Sequence, residues 1–446
     1  MRCFRGWSGA LAVGLIGLGA GRAVAQTPID SALYTYIRNV RAIDNHTHPG
    51  LPVLAGQPAD SDYDALPVGG LPPYSFPARL TTKNPDFITA WRELYGYPHQ
   101  DRSEEHVKDL IALKRRIRTE QGLKYPAWVL DKLGTEIALT NRMSVGPGLD
   151  SPRFRWVPFA DPLLYPLDAK AVAAVTPDRM DLVPRERKHN ARYLKAVNLA
   201  APPATLAEYT ARVVTPTLER WKRENAIAIK YEIAYLRGLD FSDVPAARAA
   251  PVYAKYARGG TPTVAEYKLV QDYLFRFIAH EAGRLGLPVQ IHAFDGAGGY
   301  FIGAGVDPLL LEPVATDPTL RNTNFVLIHG GWPYTRHTLS LFGKPNVYAD
   351  ISFLGSVNSP AITAGVIREW LTFFPEKVLF GSDAYPDTEE LGWEEWGWLG
   401  ATGARKALAM ALTAMMLDGD VTRDRALELA RMVLRENAAT LYKIGQ

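Results

Sequence analysis

The chain has 446 residues, of which 47% are hydrophobic, 11% aromatic and 22% charged. That composition excludes a disordered chain, a fibre and a small disulfide scaffold, and it provides for one large domain or a few average ones. The net charge of +3 has a location: Arg2, Arg5 and Arg22 lie in the first 25 residues, which hold no acid, and without them 47 basic residues face 47 acidic ones, a balance that favours neither nucleic acid nor an anionic membrane as a partner.

Arg2 and Arg5 are followed by an apolar, Gly-rich run from Gly9 to Gly21 and by Ala23-Val24-Ala25, small residues at A-x-A cleavage positions. This pattern reads as an export signal, and the run is too short for a membrane-spanning helix. The expectation is a signal over 1–25 and an exported domain over 26–446, periplasmic or secreted, with no membrane partner after processing. Cys3 is the sole cysteine and leaves with the signal, so a metal site in the mature chain has to use His, carboxylate or Lys.

Short apolar runs then recur at Val40–Asp44, Glu136–Leu139, Arg155–Phe159, Ala226–Lys230, Val289–His292, Phe325–His329, Val347–Ile351 and Val378–Phe380. Amphipathic helical patterns separate most of them, such as Thr263–Leu285 closed by Gly286 in a C-cap position. Eight such runs alternating with helices predict an α/β fold, a (β/α)8 TIM-type barrel. Two connections exceed what a barrel needs. The segment from Pro49 to Tyr125 is helical in pattern at Asp86–Tyr95 and Ser103–Gln121, and the segment from Asp161 to Asn225 near Leu206–Arg223. As helical insertions after strands 1 and 3 they are expected over the C-terminal mouth, as lids or substrate walls or else as extra packing helices.

Nine histidines are the most informative residues. In Asp44-Asn45-His46-Thr47-His48, strand alternation points Asp44, His46 and His48 one way, so two imidazoles can grip one metal ion. His292 ends one later apolar run, His329 another, and Asp383 follows a third. Taken singly, each histidine reads as a core imidazole bonded to backbone; together they place metal-type ligands at the ends of four strands, on the active face of a barrel. His99, His106, His189, His280 and His337 fall in loop, helix or cap contexts and read as solvated or capping.

The D-x-H-x-H strand followed in order by strand-end His, His and Asp resembles the metal-dependent amidohydrolase superfamily. It is similar in particular to the amidohydrolase-related branch also found fused ahead of glutamine-synthetase-like domains. Ile229–Leu239 (IKYEIAYLRGL), Asp307–Pro313 (DPLLLEP) and Leu434–Leu441 (LRENAATL) extend the likeness over nearly the whole chain after the signal. The resemblance implies a divalent ion, zinc or another, on His46, His48, His292 and Asp383, with His329 bonded to the reacting group or ligating a second ion. Lys230 joins the metal ligands only if it is carbamylated and bridges two metals; otherwise its ammonium pairs with Glu232 or binds a substrate carboxylate.

Zinc on neutral nitrogens and a carboxylate keeps an open position and lowers the pKa of bound water to about 7. Asp383 is then the catalytic proton shuttle, and His329 polarises the scissile carbonyl. The expected reaction is hydrolysis of a small-molecule amide or ester. A decarboxylase or lyase on the same scaffold is the alternative, because its ligand set can be identical. An exported metal-binding protein without turnover is a third reading, though it has no use for a proton shuttle. Arg142 and Arg237, just past strand ends, are candidate clamps for a substrate carboxylate. A serine hydrolase is excluded: His329-Gly330-Gly331-Trp332 has no G-x-S-x-G elbow after it, and no histidine follows His337.

Overall fold

The eight apolar runs are all strands: β1 Ala42–Thr47, β2 Thr135–Asn141, β3 Phe154–Val157, β4 Ile229–Tyr231, β5 Val289–His292, β6 Phe325–Ile328, β7 Val347–Asp350 and β8 Val378–Leu379. They belong to a computed structural model that describes residues 29–52, 59–67, 78–150, 152–175, 180–294 and 301–445. The expected signal over 1–25 lies outside the described residues. Every ladder is parallel, β1-β2-β3 in one sheet and β4-β5-β6-β7-β8 in the other.

Backbone bonds join the two sheets at both seams. Between β3 and β4, Ile227 N donates to Trp156 O at 2.9 Å, Lys230 N to Pro158 O at 2.9 Å and Ala160 N to Lys230 O at 2.8 Å. Between β8 and β1, Asn45 N donates to Phe380 O and Asp383 N to His46 O, both at 2.9 Å. The result is a (β/α)8 barrel with its helices outside. Of these, Val264–Leu285 starts at a capping box, Thr263 with Glu266, and stops at the expected Gly286, in the left-handed region.

Alternation along the strands sorts side chains into two layers. Val289 and Ile291 of β5, like Phe325 and Leu327 of β6, join the core under the outer helices. Ile43, Leu139, Val157, Val326, Ile328 and Leu379 meet one another inside, where Leu441 and Tyr442 also pack. Above that apolar layer the inward positions turn polar, and this second layer supports the candidate site.

Strand β1 departs from its expected bounds. Val40 is the C-cap of the helix Ser31–Asn39, so pairing starts at Ala42 and continues to Thr47. In its ladder with β2, Asp44 sits opposite Ala138 and Thr47 opposite Thr140, so β1 spends one residue more than its partner, a bulge.

The two insertions divide their roles. Asp86–Tyr95 and Glu104–Gln121 form as expected. They are packing helices: Phe87, Trp91 and Leu110 share a core with Trp396. Lys114 makes a fully buried ion pair with Glu395 at 2.7 Å. The nearer part of that insertion, Asp60 to Asp64, does reach the barrel mouth, as described next. In the second insertion Tyr209, Leu218 and Trp221 are core residues.

Candidate metal centre

The bulge in β1 explains why adjacent residues both face the barrel axis. Ile43 is in the inner apolar layer, and Asn45 two residues on bonds inward to Asp350 and Tyr442. The extra residue then resets the alternation so that His46 also faces inward, against Asn141 of β2. Asp44 therefore does not share the histidine face, as strict alternation had implied. It keeps the outward parity of Ala42 and accepts hydrogen bonds from the Ser382 backbone N–H and hydroxyl.

A chain of amides sets the tautomer of His46. The carbonyl oxygen of Asn45 can only accept, so the Gln290 atom 2.9 Å from it is the nitrogen. Gln290 Oε1 then accepts from Asn141 Nδ2 at 2.9 Å, and Asn141 Oδ1 is left to accept from His46 Nδ1 at 2.7 Å. His46 thus carries its proton on Nδ1 and a lone pair on Nε2. His48 adopts the same tautomer, because its Nδ1 lies 3.2 Å from the carbonyl oxygen of Tyr63.

Both lone pairs converge on Asp383. Its Oδ1 is 3.0 Å from His46 Nε2 and 3.8 Å from His48 Nε2. Burial holds the His46 pKa well below the usual imidazole range and pushes that of His48 down to about 4, so both rings are neutral at pH 7. Burial also raises the Asp383 pKa. Acceptors facing acceptors at this range repel unless a cation lies between them, which is the electrostatics of a metal site. His46, His48 and Asp383 form one of two groups of candidate ligands among the described residues; the other is His48, Asp64 and Glu232. The donor set therefore fits a divalent ion. Asp383 is the reachable member, its side chain 14% exposed against 1% for His46.

His329 and Asp383 both hold left-handed backbone. His329 has φ of +65° and Asp383 of +56°, conformations that cost a non-glycine residue energy and cluster at functional sites. His329 follows Ile328, an inner-layer residue, and alternation alone would turn it outward. The left-handed turn brings it in, held by its N–H on Asp350 Oδ1 at 2.8 Å.

His329 and His292 form a second pair. The Ser352 hydroxyl donates to Asp350 Oδ1 at 2.6 Å, so it accepts from His329 Nδ1 at 3.0 Å. His329 Nε2 then accepts from His292 Nδ1 at 3.1 Å, which puts the lone pair of His292 on Nε2. Of the expected metal ligands, the structure thus gathers His46, His48 and Asp383 and places His292 beside His329. Both nitrogens of His329 are engaged, so it reaches a scissile carbonyl only if its bond to His292 opens.

Lys230 faces inward, as alternation predicts, with Nζ 3.4 Å from His46 Nε2. Burial lowers its pKa, the charge of Glu232 opposing. Among the described residues it makes no ion pair with Glu232, contrary to one expectation. The two arginines read as substrate clamps have protein partners instead. Arg142 is buried and grips Asp60 with two nitrogens, each at 2.8 Å, while Arg237 pairs with Asp272 at 2.8 Å. The supporting residues Asn141, Gln290, Asp350 and Ser352 escaped the sequence reading, although each occupies an inward position on its strand or just past it.

Comparison with known proteins agrees with this architecture. A metal-dependent hydrolase, so named provisionally, from Lactobacillus casei ATCC 334 superposes with a TM-score of 0.58 at 17% identity, over 93% of this chain and 98% of that one. Glucuronate isomerase from Caulobacter crescentus gives 0.55 at 14% identity over 93% and 94%, and uronate isomerase from Thermotoga maritima 0.53 at 15% over 81% and 79%. At those identities the likeness establishes the barrel fold. Protein fluG of Emericella nidulans is 26% identical over 235 residues, which are 49% of this chain but only 26% of that protein. Residues 169–444, more than half of the sequence, match the amidohydrolase family model, and the chain is a member of that metal-dependent enzyme family.

Proposed function

We propose that this protein hydrolyses an amide or ester bond in a small molecule, using a divalent ion on His46, His48 and Asp383 with His292 as a further ligand. The convergence of two neutral imidazole lone pairs on one carboxylate oxygen carries this reading. The ion, when bound, supplies Lewis acidity and an acidified water. Asp383, on a turn open to the mouth, takes the proton of the attacking water and hands it to the leaving group. His329 positions His292 through the 3.1 Å bond between them and is itself locked by Ser352 and Asp350. Phe294 and Phe353, each with its ring within 5.9 Å of His329, wall the site and help to exclude water.

The two isomerases are named for uronates, sugars that carry a carboxylate, which supports a carboxylate on this substrate too. Arg142 and Arg237 being spent, Lys230 is the residue to meet it. We also propose that the protein acts outside the cytoplasm after loss of residues 1–25. The test is metal analysis of protein purified from Gln26 without chelators, followed by a panel of amides and aromatic carboxylic acids. One equivalent of metal, lost in a His46→Ala, His48→Ala double variant, with amine release abolished by chelator, is expected. Loss of CO2 from the acids with no amide cleaved would establish the lyase reading. Two equivalents falling to one in Lys230→Ala would make Lys230 a carbamylated bridge.

A further inference from the structure

The second group of candidate ligands shares a member with the first. A nitrogen of His48 and one carboxylate oxygen each of Asp64 and Glu232 lie within 4.8 Å of one another. A single imidazole lone pair cannot serve two ions. Nδ1 of His48 is spent as a donor to Tyr63 O, so Nε2 alone ligates. When that lone pair completes the His46–Asp383 centre, Asp64 and Glu232 are left facing the same space without a metal.

Acids outnumber bases around that space: the charge of Lys230 is felt at Glu232, but among the described residues it makes no ion pair with Glu232 or Asp64. Glu232 is 2% exposed and hydrogen-bonds Asp64, a contact that needs a proton between the two carboxyls, while among the described residues its Oε2 has no partner. Its neighbour Asp161 is another carboxylate, both oxygens of which accept from the Glu232 backbone N–H at 2.9 Å. Glu186, fully buried and with neither carboxylate oxygen partnered among the described residues, adds a further acid whose field reaches Asp161 and Asp64. The ammonium of Lys230 leans on His46 instead. Buried acids that outnumber their donors are costly, and a site that keeps them gains from a cation that brings its own hydrogens.

We propose that Asp64 and Glu232 form a cation subsite that binds a protonated amine of the substrate beside the scissile bond. The substrate is then an aminoacyl-type amide: its carbonyl goes to the metal centre and its ammonium, a short aliphatic spacer away, to the acid pair. This deepens the hydrolase reading and rests on it.

A matched pair of metal-binding probes tests the subsite. β-Alanine hydroxamate carries an ammonium where butyrohydroxamate carries a methyl group. By calorimetry on the metal-loaded enzyme the charged probe is expected to bind at least about 10-fold tighter, the worth of one charge-assisted contact. That ratio is expected to fall to about 2-fold or less in Glu232→Gln and in Asp64→Asn. The latter keeps the test open if the buried variant does not fold, since Asp64 is half-buried. Equal affinity of both probes for the wild-type protein overturns the subsite while leaving the metal centre standing. So does a second equivalent of metal lost in Asp64→Asn. Binding of neither probe removes the metal centre itself, and the subsite with it.

Discussion

At the scale of single residues, the site depends on hydrogen-bond polarity more than on distance. His46 presents a lone pair because Asn141, oriented by Gln290, accepts its Nδ1 proton, and Gln290 is oriented by a carbonyl that cannot donate. Replacing Asn141 by Ala frees the imidazole to tautomerise and to rotate. The expected result is a 10- to 100-fold weaker metal affinity, of the order usual for partners of metal ligands, read by competition with a chromophoric chelator. Unchanged affinity would show that the amide chain is only structural. Asp383→Asn keeps shape but loses both negative charge and basicity. Its kcat is expected to fall by at least about 100-fold even at saturating metal, and a smaller loss would move the proton shuttle to another group.

At the scale of elements, two local irregularities turn residues of the site inward. The β1 bulge turns Asn45 and His46 inward together, and the left-handed turn after β6 brings in His329. A third element, the helix Trp393–Leu417, fixes the turn that bears Asp383. It lies so close that a Cβ on Gly400 would stand 2.4 Å from the carbonyl oxygen of Ser382, and one on Gly403 2.1 Å from that of Gly355. Backbone cannot yield as a flexible side chain does. Gly400→Ala is therefore expected to destabilise the fold by about 1–3 kcal/mol, the usual cost of overpacking, in denaturant unfolding. It should also lower metal occupancy, because the helix is displaced from the residue adjoining Asp383. A stable variant with full occupancy would disconnect that packing from the site.

At the scale of the whole molecule, ligands from β1 and from the turn after β8 lie more than 300 positions apart in sequence, so the metal centre exists only in the closed barrel. Metal binding must then stabilise the folded state alone. With ion at 100 times its Kd the gain is about 2.7 kcal/mol, and chelation should lower Tm, reversibly on adding metal back. An identical Tm with and without chelator would argue against a site joining the two ends of the barrel. Sequencing the N-terminus of the protein expressed with residues 1–25 is the matching check on the proposed processing: a start at or near Gln26 is expected, and an intact Met1 would make the apolar run an anchor.

The strand runs, the helix at Thr263–Leu285 with its Gly286 C-cap, and the order His, His, His, His, Asp were legible in the chain. Strand burial, capping and turn chemistry are local, and a parallel barrel buries both faces of each strand, so that strands stand out as continuous apolar runs. Tertiary structure decided what depends on partners distant in sequence. The sidedness of Asp44 turned on a bulge visible only against β2. Whether Arg142 and Arg237 were open to substrate turned on Asp60 and Asp272, and the tautomer of His46 on an amide 149 positions beyond Asn141. A charged side chain is available for function only when the fold has not already paired it, and pairing is a property of three-dimensional neighbours.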